Sequence, residues 1–536
     1  MGGFPIAPQS ELIMPIRPRQ PSEITQQVIP LLLLGVGLVT TNNSVTFIDD
    51  ESKIIGAAAN PLRTTLTLFF SGAGQHEHPP LYDVILHFWL RWTGGNFDYL
   101  RIPSILFFLA GLFLLGRASR HLLGSSVGTA TVWLGVLWPF GFHFGRLAAW
   151  YSFSFFLVAG LTLFYLKYME DQRFGRWAVL FLFCAALIWT NYLGWAILAC
   201  LGIDQILRSR CKEPAATPKV ILGTAALLFL SFLPLFLAFR SELSGGMNLH
   251  QGAIPILANA GFNVFSLFVS ESVAPWYWWL SVPAGLAILL CLALAAWRLP
   301  RSARRFLFYS AFLLLVMALI GILRTKYLLL ISPWVLLPMG VAIDAEKPRW
   351  ATFALAGALL VIGGAGWYGI YSRRFYSAPR FIEPWQEVAG DAAGKIRGGA
   401  TVIADHPSFL LYLTYILRVP SQNGPWKFEG SLPDSVKHPR VFSSAGWLAA
   451  GHPASGKVIL VRGGRDPGGN GPVDQVAHQL DQSCGSITSS LRMRDQGYAW
   501  KQRFFPQLGE PQWRIEIRDY DCDSSNSKQV YPIPQR

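Results

Sequence analysis

Three acidic residues stand together directly after the first long apolar run of the sequence. The run Asp49-Asp50-Glu51 follows residues 28–48. Carboxylates at the edge of an apolar run can serve as a general base or as metal ligands. They could equally be structural, because Asp49 or Asp50 could cap a helix that begins at Ser52. An acidic site is one prediction from this segment, and a helix cap is the alternative.

A second acid, Glu77, is followed by His78 and then by two prolines. Prolines stop a preceding helix and fix the entry of the next one, so they would hold both side chains rigidly in place. The pair could be a second acid that faces the first, or part of a divalent-metal site. The alternative is an ordinary loop, since a single histidine is more often structural.

Three basic residues lie in short links between apolar runs: Arg146, Arg324 and Lys326. A cation near the boundary of a lipid phase costs free energy unless an anion faces it. A phosphate is a suitable partner, because guanidinium groups match its oxygens. The alternative is that these side chains reach lipid headgroups. The pattern favours a phosphate-binding site on the same face as the acids.

The composition indicates that lipid surrounds much of the chain. Of its 536 residues, 52% are hydrophobic and only 14% are charged, whereas soluble domains carry about 25% charged residues. The net charge of +14 agrees with Lys and Arg at cytoplasmic helix ends. A nucleic-acid partner is not predicted, because no basic stripe interleaved with aromatic residues is present.

The apolar runs predict a polytopic α-helical membrane protein with about eleven spans, in a range of ten to thirteen. The predicted spans are 28–48, 102–116, 123–143, 147–166, 177–189, 193–207, 219–239, 277–297, 306–323, 327–343 and 351–371. The basic clusters predict the orientation, because cytoplasmic loops collect Lys and Arg. These clusters lie at 117–120, 167–176, 208–212, 298–305 and 347–349.

This orientation divides the chain into three parts. Residues 1–27 are predicted to be a cytoplasmic tail, 28–371 a transmembrane domain with an outer first loop at 49–101, and 372–536 an extracytoplasmic domain. Two further apolar stretches, 79–93 and 254–270, are interpreted as helices that lie in the membrane interface.

The C-terminal part is predicted to be a small α/β domain. Its strand-like runs are Ala400–Ala404, Val458–Val461 and Trp513–Ile517, and its helix-like runs are Pro384–Ile396 and Ser408–Leu417. Because disulfides form in extracytoplasmic compartments, Cys484 and Cys522 are the expected pair if this region lies outside.

The order of the motifs resembles that of the membrane glycosyltransferases of the GT-C class. The resemblance is to the protein O-mannosyltransferase and lipid A aminoarabinose transferase superfamily, and especially to its bacterial lipopolysaccharide galacturonosyltransferase-like group. It covers roughly residues 28–345. The motifs are the acids after the first span, His78 to Tyr82, Leu100 to Ser104, Ile188 to Gly194 and Arg324 to Leu329.

The resemblance implies roles for individual residues. Asp50, paired with Glu51, would be the catalytic base, and Glu77 the second acid. His78 stands where the aminoarabinose enzymes carry a lysine, and Arg324 would face the carrier phosphate. The full predicted substrate-binding set is His78, Tyr82, Arg146, Tyr151, Tyr192, Arg324, Lys326 and Tyr327.

One stretch departs from the family pattern. Many relatives carry Glu-Ala-Arg-x-Tyr at the start of the fourth span, where this chain has Leu147, Ala148, Ala149, Trp150 and Tyr151. The expected arginine is therefore an alanine. On a helix Arg146 would share a face with Ala149, because residues three apart are neighbours there, and could supply the missing charge.

These observations predict an inverting glycosyltransferase that uses a polyprenyl-phosphate-linked sugar. The acceptor would be a hydroxyl of a glycan, a lipid or a protein at the outer face of a bacterial plasma membrane. No cofactor is required, although Glu77 and His78 could hold a divalent metal ion. The alternatives are a lipid or solute transporter, and a non-catalytic membrane sensor or scaffold.

Overall fold

The computed structural model describes most of the chain. The described residues are 23–42, 47–71, 78–236, 253–273, 278–343, 349–372, 383–417, 439–451, 455–464, 471–494 and 512–523. The predicted cytoplasmic tail therefore lies almost entirely outside them, and so does Glu77.

Helices make up the N-terminal two thirds of the described chain. The first five are α1 Glu23–Thr40, α2 Asp49–Ala59, α3 Leu62–Ser71, α4 Leu81–Trp92 and α5 Ile102–Leu123. The next six are α6 Ser125–Leu137, α7 Pro139–Phe144, α8 Trp150–Glu170, α9 Phe174–Ile188, α10 Gly194–Arg210 and α11 Pro218–Phe232. The last five are α12 Ala253–Val269, α13 Trp278–Arg298, α14 Arg301–Leu319, α15 Leu328–Ile343 and α16 Arg349–Tyr371.

Each predicted span overlaps a helix, and the chain is a polytopic helical membrane protein. Within the described ranges, 6 helices are long and apolar enough to cross a membrane by length and composition alone. The count of eleven spans stays a prediction. Residues 177–207 form two helices, α9 and α10, which meet between Trp189 and Leu193. The turn predicted near residues 190–192 is therefore confirmed.

The described part of the first loop contains three α-helices, where one interfacial helix was predicted. Of these, α4 coincides with the predicted interfacial helix at 79–93, and it buries Tyr82, Leu86 and Leu90 while Trp92 is exposed. Of the other two, α3 was not predicted, and α2 was predicted only in the alternative in which Asp49 or Asp50 caps a helix that begins at Ser52. The helix begins at Asp49 instead, with Ile48 at the N-cap position, so the three acids lie in its first turn and neither aspartate is the cap residue.

Acidic residues bind arginines from two of the predicted basic clusters, 208–212 and 298–305. Asp204 is buried and accepts from Tyr165 at 2.5 Å and from Arg208 at 2.6 Å. Arg305, at the start of α14, pairs with Glu213 at 2.7 Å. Arg208 and Arg305, from two of the predicted cytoplasmic clusters, thus bind the same acid, Asp204.

The described residues of the C-terminal domain form a five-stranded mixed sheet with four helices. Its strands are β1 Thr401–Ala404, β2 Val441–Phe442, β3 Lys457–Gly464, β4 Gly485–Arg494 and β5 Gln512–Asp521, in the order β2-β1-β3-β5-β4. Its helices are α17 Trp385–Arg397, α18 Pro407–Leu417, α19 Ser444–Ala450 and α20 Pro472–Ser483.

The sheet is parallel on one side and antiparallel on the other. β1 pairs parallel with β2 and β3, whereas β5 pairs antiparallel with β3 and β4. Cys484 at the end of α20 and Cys522 after β5 form a disulfide, the pair expected from the sequence. The expected small α/β domain is therefore present.

Candidate active site

Asp50 lies in the first turn of α2 and meets residues from two other helical regions. Its Oδ2 accepts a hydrogen bond from the Tyr151 hydroxyl at 2.7 Å. The same oxygen lies 2.5 Å from Nζ of Lys326. Tyr151 is in α8, and Lys326 belongs to a 3₁₀ turn that directly precedes α15. Three of the predicted site residues are thus brought together from distant parts of the sequence.

Glu51 has a different environment from that of its neighbour. It is fully buried, and Arg101 donates to its two oxygens at 2.8 and 2.7 Å. It also accepts from the backbone N–H of Ala148 at 2.7 Å and of Ile48 at 3.2 Å. Four donors therefore occupy this carboxylate. Its contacts are those of a positioning residue, and the catalytic role predicted with Asp50 stays a prediction.

Arg146 lies on the Glu51 side of this region. Its Nη1 donates to the carbonyl of Thr41 at 2.8 Å and to the Thr41 hydroxyl at 3.1 Å, at the end of α1. Its guanidinium lies 4.9 Å from the ring centre of Phe142. Arg146 precedes α8, which begins at Trp150, so it does not share a helix face with Ala149. The expectation that Arg146 and Ala149 lie on one face of a helix is therefore wrong.

An aromatic group borders the Asp50 side. The rings of His78 and Trp150 are 4.2 Å apart, and Trp150 stacks with Tyr327 at 5.7 Å. His78 also meets Tyr327 edge-on at 6.2 Å. Since Trp150 and Tyr151 are neighbours, as are Lys326 and Tyr327, the same two backbone segments supply both the polar contacts and the aromatic side chains.

The charge around His78 is predominantly positive. Burial first, and then the charge of Lys326, lower the pKa of His78 from 6.5 to about 3, with smaller contributions in the same direction from Lys53 and Arg324. Only Asp50 acts in the opposite direction among these neighbours. The imidazole is therefore neutral at pH 7. A surplus of cations is better suited to an anionic ligand than to a metal ion.

The metal prediction for Glu77 and His78 remains open. Glu77 lies outside the described residues, and so its distance from Asp50 is not described. Within the ranges that are described, no group of three or more His, Cys, Asp or Glu side chains could hold a metal ion.

Three further residues that were predicted to bind substrate lie against other side chains or at the surface. The Tyr82 hydroxyl is paired with Ser104 at 2.7 Å, and Tyr82 is buried. Tyr192 meets the edge of the Phe232 ring at 6.2 Å. Arg324 is exposed, next to the Lys326 turn. Arg324 thus lies two residues before the lysine that contacts Asp50, whereas the described contacts of Tyr82 and Tyr192 are with other side chains.

Sequence reasoning missed two residues at this site. Arg101 was noted only as part of a motif, and Trp150 only as part of a departure from one. A signal for Arg101 was available, because it is a further cation at the start of an apolar run on the same predicted face as Arg146. Trp150 carried no such signal, since aromatic residues are common at helix ends in membranes.

Comparison with known proteins supports the fold. No protein-family model matches the sequence, and no curated protein sequence matches it. The crystal structure of ArnT from Cupriavidus metallidurans bound to undecaprenyl phosphate matches with a TM-score of 0.58 at 12% identity, over 92% of this chain and 97% of that chain. The apo structure of the same protein matches with a TM-score of 0.56 at 12% identity, over 95% and 100%. The chain is therefore a membrane protein with the GT-C fold of ArnT.

Proposed function

We propose that this chain is an inverting glycosyltransferase that moves a sugar from a polyprenyl-phosphate carrier to an acceptor hydroxyl at the outer membrane face. The observation that carries the proposal is the contact of Asp50 with Tyr151 and Lys326, within a fold shared with a protein that binds undecaprenyl phosphate. A carboxylate and a cation that share one site are what this reaction needs.

Asp50 is proposed to act as the general base. The acceptor oxygen attacks the anomeric carbon, and its proton passes to the Asp50 carboxylate. At the same time the bond between the anomeric carbon and the phosphate oxygen breaks, and its electron pair leaves with the phosphate. Attack from the face opposite the leaving group inverts the configuration. The contacts from Tyr151 and Lys326 fix the orientation of the carboxylate.

The cations are proposed to stabilise the leaving group. A polyprenyl-phosphate sugar is a phosphodiester with one negative charge, whereas the released carrier is a monoester that approaches two. Lys326 has three N–H donors, and Arg324 lies exposed two residues before it. Because negative charge grows on the phosphate as the bond breaks, donors held in place there lower the barrier.

The remaining features of the proposal concern metal, location and acceptor. No metal is proposed to be required, and a divalent ion held by Glu77 and His78 stays a prediction. The site end of the bundle is proposed to face outward from a bacterial plasma membrane, with the N-terminus inside. The acceptor is a glycan, a lipid or a protein.

The first test is Asp50→Asn in the full-length chain, expressed in cells from which the gene has been deleted. Loss of the base should reduce the glycan product about 10²- to 10⁴-fold. Mass spectrometry of envelope glycans measures the product. Binding of undecaprenyl phosphate to the purified variant should be retained, because the cations are unchanged.

The matched control is Asp98→Asn, which removes an exposed carboxylate from the same loop region. It should leave product formation unchanged. Normal glycan product from the Asp50→Asn variant would end the proposed mechanism, and uptake of a labelled solute by proteoliposomes would favour the transporter alternative.

A further inference from the structure

The segment that leads into α2, the helix that carries Asp50, is held by one contact from within the helix and one from outside it. Ile48 at the N-cap position has no side chain that could cap the helix. The N–H of Ile48 is bound by Glu51. The N–H of Phe47 donates to the Tyr412 hydroxyl at 3.1 Å. The entry to this helix is thus held by a residue 365 positions further along the chain.

Tyr412 belongs to α18 of the C-terminal domain, and a row of contacts leads from it to the acidic pair. The rings of Tyr412 and Phe47 are 5.5 Å apart. The Arg101 guanidinium lies 4.4 Å from the centre of the Phe47 ring and binds Glu51. A side chain of the C-terminal domain therefore supports the segment that leads directly into Asp50.

The interface between α18 and α2 is dry. Phe47 is 4% exposed, Ser52 0%, Ser408 1% and Tyr412 7%. A second hydrogen bond runs from the Ser52 hydroxyl to the Ser408 hydroxyl at 3.4 Å. A polar group that loses its partner in such a place cannot readily turn to water. The two helices are therefore expected to keep one relative position.

We propose that the C-terminal domain contributes to catalysis through Tyr412, a positioning residue whose hydroxyl fixes the start of α2 and thereby the place of Asp50. The proposal rests on the function proposed for Asp50. A catalytic group must be held to within a fraction of an ångström, and a displacement of about 1 Å can cost about 10²-fold in rate. Because Ile48 offers no side-chain cap, the hydrogen bond to Tyr412 gives the start of α2 a fixed point outside the helix.

The test compares Tyr412→Phe with Tyr415→Phe in the full-length chain, reconstituted in lipid nanodiscs. Each variant loses one hydroxyl from α18 and keeps its ring. Tyr415 is the matched control, since the described hydrogen bond of its hydroxyl is to Asn96, at 3.5 Å. Thermal midpoints equal to that of the unmodified chain show that both variants fold.

The first measurement is hydrogen–deuterium exchange of the peptide that spans residues 47–52. Tyr412→Phe should accelerate exchange there about three- to tenfold, as expected for the loss of one hydrogen bond, and Tyr415→Phe should not. This measurement requires no activity. Unchanged exchange in Tyr412→Phe would overturn the proposal.

The second measurement separates positioning from binding. Tyr412→Phe should lower the glycan product about three- to tenfold, while the affinity for undecaprenyl phosphate stays that of the unmodified chain. A full yield of product from a variant with accelerated exchange would refute the catalytic part of the proposal. If Tyr412→Phe accelerates exchange but even the unmodified chain forms no product, the contact between α18 and α2 is supported. In that case it is the proposed function that is refuted.

Discussion

At the scale of single residues, two adjacent carboxylates have separate tasks. Asp50 is partly accessible and meets a hydroxyl and an ammonium group. Glu51 is sealed from solvent and binds a guanidinium and two backbone N–H groups. The difference arises from helix geometry, because neighbouring positions on a helix point about 100° apart.

The buried pair of Glu51 and Arg101 gives a prediction about stability. Arg101→Met would leave Glu51 in the interior without its counter-charge, which costs about 3–5 kcal/mol. We expect a marked fall in the thermal midpoint and in the yield of monodisperse protein, as measured by size-exclusion chromatography and a melting assay.

The control for that variant is Arg173→Met. Arg173 pairs with Asp171 at 2.8 Å, but its side chain is 81% exposed. An exposed pair contributes about 0–1 kcal/mol, so the thermal midpoint should hardly move. If both variants melted alike, burial of the Glu51 pair would not be what stabilises this region.

Much of the candidate site could be predicted from the sequence, but the different roles of Asp50 and Glu51 could not. Asp50, Tyr151, Lys326 and Tyr327 were all predicted, because charged and aromatic residues next to apolar runs stand out. Whether a carboxylate is used for chemistry or for support depends on its partners. Arg101 is 50 positions from Glu51, and no local pattern connects them.

At the scale of elements, a glycine allows a close contact between α5 and α8 of the membrane domain. A Cβ at Gly111 of α5 would lie 2.5 Å from the Phe155 ring of α8 and 3.0 Å from the backbone of Phe156. Small residues let helices approach closely, and this packing drives their association in lipid. The contact holds together the two helices that begin beside Glu51 and Asp50.

Gly111→Ala should therefore destabilise the protein by about 1–3 kcal/mol, as other overpacked cores do. Gly202→Ala in α10 is the matched control, because nothing lies within 4 Å of its added Cβ. That change should be neutral or slightly stabilising, since alanine favours helix. Thermal melting of both variants in detergent measures the difference, and equal midpoints would contradict the close-contact argument.

The elements themselves were predictable to different degrees. Long apolar runs located the membrane helices, because lipid requires such runs. The three strands predicted in the C-terminal domain correspond to β1, β3 and β5, which pair with one another in the middle of the sheet. The two described strands that were missed, β2 and β4, lie at its edges. β2 has only two residues, and β4 is rich in Ser and Arg. An edge strand faces water, so it lacks the apolar signal that identifies a buried strand.

At the scale of the whole molecule, the proposed orientation can be tested with the protein's own cysteines. Cys211 is exposed in the loop between α10 and α11, whereas Cys184, Cys200 and Cys291 are buried. A membrane-impermeant maleimide should label Cys211 only after the cells are permeabilised. Mass spectrometry of the labelled protein measures this.

The control variant places a cysteine on the predicted outer side of the membrane, opposite Cys211. In a Cys211→Ser background, Gln386→Cys puts an exposed thiol on α17 of the C-terminal domain, and it should be labelled in intact cells. Labelling of Cys211 in intact cells would reverse the orientation and place the site at the inner face.

The hydrogen bond from Phe47 to Tyr412 has a consequence for biosynthesis. The loop that contains Asp50 leaves the ribosome early, while its support from α18 is made 365 residues later. If the proposed function and orientation hold, a nascent chain would insert its first helices before Tyr412 is available, and transfer would begin only once α18 had reached α2.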